Sequence, residues 1–218
     1  MSLSYIIHLA NYSDGILYIL AFLLLVALTV MIDRFWALRV TLLQGKNLIY
    51  KTEGYEFLSQ NDLHDLHKKA GSLPEAKLFE VALRNQNIDR ADLSSRLDES
   101  IMLMAPKLDR RLWVLDTVVT LAPLMGLFGT IIGMFHAFNV LALPGHAPIE
   151  VTGGVADALA ATAFGIFIAM LGLAGYNALT NQVRHIVHQL ESLRTMLVNR
   201  TDMEMLPKQT NISSFLRA

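Results

Sequence analysis

The chain has 218 residues, 53% of them hydrophobic and only 17% charged, with 18 basic against 19 acidic side chains and no cysteine. That balance excludes a disulfide framework, a thiolate metal site and the basic footprint of a nucleic-acid binder. The mean hydropathy of +0.41 points instead to a chain that places long stretches in lipid.

The charges leave three gaps. No Asp, Glu, Lys or Arg occurs between Asp14 and Asp33, between Asp116 and Glu150, or between Asp157 and Arg184. A crossing helix needs about 20 mostly apolar residues, so each gap predicts a transmembrane span in an all-α, polytopic fold.

Residues 1–15 hold no Lys or Arg, whereas an export signal carries positive charge ahead of its apolar core; a retained span preceded by an external segment is expected. The first span covers 16–32, at about 25 Å barely long enough to cross. It is leucine-rich, as suits a lipid-facing helix. Residues 33–115 read as a long helical region. Ser72-Leu-Pro-Glu75 has the spacing of a capping box. Leu93, Leu97, Ile101, Leu108 and Leu112 recur at helical spacing, which predicts a helix running without a break into the second span, kinked at Pro106.

The second span, 116–142, carries Gly126, Gly129, Gly133 and Ala137. After a turn over 143–150, the third span, 151–178, carries Ala158, Ala161, Gly165, Ala169 and Gly172. Small residues three or four apart let helices approach closely in lipid, so both spans are expected to face protein. Residues 179–218 form a helical extension and a tail. All 18 basic residues fall in Arg34–Arg111 or Arg184–Arg217. The positive-inside rule makes those segments cytoplasmic, with the amino terminus and the 143–150 turn outside.

Candidates for chemistry are few. There is no phosphate-binding GxxxxGK[ST] loop, and no nucleophile–base set stands out. The pairs His64/His67 and His185/His188 lack a completing ligand and read as solvated surface histidines. The expectation is a protein that is not an enzyme, with no metal and no cofactor. Within the spans, Thr130 and Thr162 each lie sixteen residues from His146, the centre of the turn. An antiparallel hairpin would bring them to one depth, and repetition around an oligomer would make a polar ring. Each threonine alone also reads as a residue returning its hydroxyl to a carbonyl of its own helix. Asp157 is either a helix-terminal charge favoured by the dipole or a functional carboxylate. Neither span offers Asp, Glu or Lys at its centre, so a proton path would need a carboxylate from a partner.

Ala122–Phe138 (APLMGLFGTIIGMFHAF) and Val155–Asn177 (VADALAATAFGIFIAMLGLAGYN) together resemble the second- and third-span signatures of the ExbB/TolQ/MotA proton-channel family. The resemblance implies a pentamer in the bacterial inner membrane whose second and third helices surround single-span ExbD- or TolR-like partners carrying a membrane aspartate. Proton flow would then energise a TonB- or TolA-type protein acting on the outer membrane, in siderophore or other uptake or in envelope integrity. By this likeness Thr130 and Thr162 match the pore threonines. Asp157 stands where the family's usual residue is glutamate, and Leu173-Ala174-Gly175 lacks the proline common before the closing Tyr-Asn. The alternative is a non-conducting membrane scaffold that anchors partner proteins, which would not need a polar ring.

Overall fold

A computed structural model of the chain describes residues 15–85, 88–141 and 148–201. Among them are six helices and no strand: α1 Ile16–Glu53, α2 Gln60–Ala70, α3 Pro74–Arg84, α4 Arg90–Leu108, α5 Leu112–Leu141 and α6 Pro148–Arg200. Three of them, α1, α5 and α6, are long and apolar enough to cross a membrane. Of the expected 143–150 turn, residues 143–147 with His146 lie outside the described residues, while Pro148, Ile149 and Glu150 already belong to α6.

The helices contribute to two compact units. The first draws on Met1–Ala37 and Asp109–Asn181. Its buried positions on α5 are Leu115, Val118, Ala122, Gly126, Gly129, Gly133 and Ala137. On α6 they include Ala158, Ala161, Gly165, Ile168, Ala169, Gly172 and Gly175. Both series recur mostly at steps of three and four, the period of one helical face. From Ala122 to Ala137 on α5 and from Ala158 to Gly165 on α6 these positions are all Ala or Gly, so the two backbones approach closely. From α1 this unit buries Ile16, Leu20 and Ala27. Only 17% of the most apolar window of α1 is covered, against 28% for α5 and 33% for α6. Side chains such as Phe22, Leu25, Phe128, Phe135, Phe164 and Phe167 stand exposed. Aqueous solvent would not tolerate an apolar surface of that extent; lipid or further protein covers it.

The second unit draws on Leu38–Leu108 and Gln182–Ala218, and it has an ordinary globular core. Leu63, Leu66, Leu78, Phe79, Leu93 and Leu97 are fully buried, as are Ile186, Leu190 and Leu193 of α6. α3 packs against both α2 and α4. Arg200 donates from Nη1 to the carbonyls of Thr52 and Glu53 at 3.0 and 3.1 Å, satisfying acceptors that the end of α1 would otherwise leave open. Arg194 reaches Ser94 Oγ and Asp98 Oδ2, both at 2.7 Å.

Three sequence expectations are corrected here. The capping box lies on α2: the Asp62 N–H donates to Ser59 Oγ and the Ser59 N–H to Asp62 Oδ2. Pro74 fixes the first turn of α3, so Leu73 is its cap residue and has no side-chain hydrogen bond to offer. The helix leading to the second span is broken, since α4 stops at Leu108 and α5 starts at Leu112. Arg111 between them has φ 71°, a left-handed conformation that cannot continue a right-handed helix. Its Nη1 donates to Asp33 Oδ2 at 2.7 Å. Lastly, His67 is half-buried and its Nδ1 lies 3.0 Å from the Ala76 carbonyl oxygen; His64, His185 and His188 are exposed.

Candidate functional site

The site is built on the α5–α6 hairpin of the first unit, and its geometry follows from the glycines. A methyl group on Gly165 would come 2.5 Å from the Ala122 carbonyl oxygen and 3.1 Å from Gly126 Cα. One on Gly126 would meet the Ala161 oxygen at 2.9 Å and Thr162 Cα at 3.0 Å. Further along, a methyl group on Gly129 would meet Ala161 Cβ at 2.9 Å and one on Gly133 would meet Ala158 Cβ at 2.7 Å. Positions climb α5 as they descend α6, so the pair is antiparallel, with its two backbones in contact over several turns. Gly126, Gly129, Gly133, Ala161 and Gly165 all take part in these contacts. Ala169 is buried one turn further along the same face of α6.

That approach decides what the threonines do. Thr162 Oγ1 donates across the interface to the Gly126 carbonyl at 2.8 Å; only a backbone this close brings a short hydroxyl within reach. Thr130 Oγ1 donates within its own helix, to the Leu127 carbonyl at 2.7 Å. Gly129 and Ala161 meet, and each precedes one of the threonines, so the two hydroxyls sit at neighbouring levels of the hairpin. Both are partly accessible. Each spends its proton on a carbonyl and keeps oxygen lone pairs for a further donor.

Asp157 lies five residues before Thr162 on α6, about 7.5 Å along the axis, and is half-buried. The helix begins nine residues earlier, at Pro148. The favourable field at a helix amino terminus fades within the first turn, so Asp157 is not a terminal cap. Thr130, Thr162 and Asp157 thus share one stretch of the hairpin. Sequence reasoning had no means of finding the Gly126 carbonyl, the acceptor for Thr162, because a backbone oxygen leaves no mark in a side-chain pattern. Among the described residues no three His, Cys, Asp or Glu side chains gather closely enough to hold a metal ion.

Comparison with known proteins adds a second line of argument. The sequence model described as the MotA/TolQ/ExbB proton channel family matches residues 70–192. A Tol-Pal system protein TolQ from Haemophilus influenzae is 41% identical over 80 residues, which are 36% of this chain and 35% of that protein. A biopolymer transport protein ExbB from Neisseria gonorrhoeae is 27% identical over 175 residues, covering 72% of this chain and 79% of that protein. A TolQ from Pseudomonas aeruginosa is 31% identical over 138 residues, 56% of this chain and 60% of that one. Against several relatives the matched stretch spans about half of their length or less.

Proposed function

This chain belongs to the MotA/TolQ/ExbB proton channel family, and from that premise we propose that it is a non-enzymatic channel and motor subunit that uses the proton-motive force. In this reading it resides in the bacterial inner membrane with its amino terminus periplasmic and its carboxyl terminus cytoplasmic. Five copies surround ExbD- or TolR-like single-span partners, whose membrane aspartate carries the proton. The output is motion of a TonB- or TolA-type transducer. Relatives named for biopolymer transport and for the Tol-Pal system both support this assignment.

The observation that carries the reading is the pair of hydroxyls at neighbouring levels of the hairpin, each with its proton committed to a carbonyl. Such oxygens accept a hydrogen bond from a protonated carboxyl. Thr130 has only a local bond to give up, so its hydroxyl turns easily to donate once the carboxyl ionises. A collar of this kind lowers the cost of charge in mid-membrane without itself titrating. The driving force is about 2.3 kcal/mol per charge for each 100 mV. Leaving a buried polar group unsatisfied costs roughly 1–3 kcal/mol, enough to stall the step.

The test is proton flux into vesicles containing the chain with a single-span partner, read with an internal pH dye. Thr130→Val and Thr162→Val should assemble with the partner and lose about tenfold or more of the flux, as a penalty of that size implies, while Thr→Ser variants retain most of it. Valine variants that assemble and conduct like the parent would remove the collar mechanism and favour the scaffold reading.

A further inference from the structure

Glu75 is 0% exposed, and neither of its carboxylate oxygens has a hydrogen-bond partner. It sits in the first turn of α3, with its side chain directed at a notch in α1 left by Gly45. A methyl group on Gly45 would overlap Glu75 Oε1, and it would meet Gln189 Oε1 of α6 at 3.1 Å. Gln189 Oε1 is itself buried without a partner. Three acceptor atoms from two side chains are thus shut away together, and no donor answers them. Turning over the Gln189 amide would aim a donor at Glu75 only by giving up its bond to α1. Its Nε2 donates to the Leu42 carbonyl at 3.4 Å, and the flipped amide would set oxygen against oxygen there.

We infer that Glu75 and Gln189 form a binding site for a single proton in the second unit, the proton residing on Glu75 and bonded to Gln189 Oε1. A carboxylic acid has one O–H to donate, so one proton removes the buried charge and satisfies an acceptor on each side chain. It joins α3 to α6 across Gly45 of α1. The alternative is an ionised carboxylate with no protein donor, among the costliest arrangements a protein interior can hold.

No neighbouring charge stabilises the ionised form. On α3 itself, Lys77 is exposed and Glu80 partly so, and they pair with each other at 2.9 Å. His67 of α2 turns its Nδ1 to the Ala76 carbonyl. Lys46 on α1, Arg96 and Glu99 on α4, and Arg184, His185 and His188 on α6 are exposed. Asp98 of α4 and Arg194 of α6 pair with one another at 2.7 Å. Burial pushes the Glu75 carboxyl above its ordinary value, opposed only by the smaller influence of its own backbone N–H.

The sign follows. With the folded-state value raised, the folded unit holds a proton that the opened unit releases. The stabilisation is complete below the ordinary carboxylate range, near 4.5. It declines as pH climbs from there to the raised value, and is lost beyond it. Across that window the opening equilibrium of α3 should rise up to about tenfold per pH unit and then level off.

The experiment is amide hydrogen exchange of the full-length chain in detergent micelles across pH, corrected for intrinsic exchange, in wild type and Glu75→Gln. Glutamine keeps the shape and a donor for Gln189 Oε1. Wild type should show the rise in α3 while Glu75→Gln stays flat. In parallel, the infrared carbonyl band of a protonated carboxylic acid should persist in wild type at pH above the ordinary carboxylate range and be absent from Glu75→Gln. Equal pH dependence in the two proteins, or no difference in that band, would overturn the proton site. Protection that depends on potassium or sodium, and vanishes in choline chloride, would make the site a cation site and overturn it as well.

Discussion

Thr130 and Thr162 carry the same hydroxyl into apolar stretches of α5 and α6, and the acceptor each one finds sets its energetic role. The Thr130 bond closes on Leu127 within its own helix; the Thr162 bond joins α6 to Gly126 of α5. Thr162→Val should therefore weaken the helix pair as well as any conduction, by about 0.6 kcal/mol and at most roughly 1.7 for a bond between helices in a membrane. Thr130→Val should leave stability nearly unchanged. Unfolding of each variant by titration with sodium dodecyl sulfate in mixed micelles separates them, and equal midpoints would mean that the cross-helix bond contributes nothing. The spacing around His146 made both positions legible, since depth in a hairpin is a matter of counting. The partners were not, because they depend on which faces meet. Glu75 was hidden more thoroughly. An acidic residue in a first helical turn resembles an ordinary dipole companion, and the residues that bury it, Gly45 and Gln189, are distant in the chain.

Helix boundaries show where local pattern and local physics part company. Ser72 and Glu75 have the spacing of a capping box, yet Pro74 starts α3 one residue later than that box requires. Ser59 and Asp62 make the real one. Ser59→Ala should cost about 1 kcal/mol, seen as roughly fivefold faster hydrogen exchange in α2, whereas Ser72→Ala should stay within about 0.5 kcal/mol. The reverse order would put the cap back at Ser72. The break between α4 and α5 was illegible for a related reason. Leu108 and Leu112 are four apart, so the apolar period passes straight through the turn. The left-handed residue there is Arg111 rather than a glycine that would have announced it. The spans themselves were plain, because charge-free length and small-residue period are properties of the chain alone.

At the scale of the whole molecule, orientation is the property most directly testable. The natural chain has no cysteine, so single cysteines need no prior removals. An impermeant thiol reagent applied to intact cells should label His146→Cys, whose position lies outside the described residues, and spare Ser59→Cys. The opposite result would invert the arrangement. Whatever its orientation, the hairpin constrains how α5 and α6 can move. At Gly126, Gly129, Gly133 and Gly165 the gaps are too small for a single added carbon. Sliding α5 along α6 would drive backbone into backbone before reaching another fit, because packed interfaces have discrete rather than continuous arrangements. The two helices are keyed like the wards of a lock. Any displacement of the pair must therefore occur at its outer, apolar faces, where the hairpin travels as one piece against whatever surrounds it.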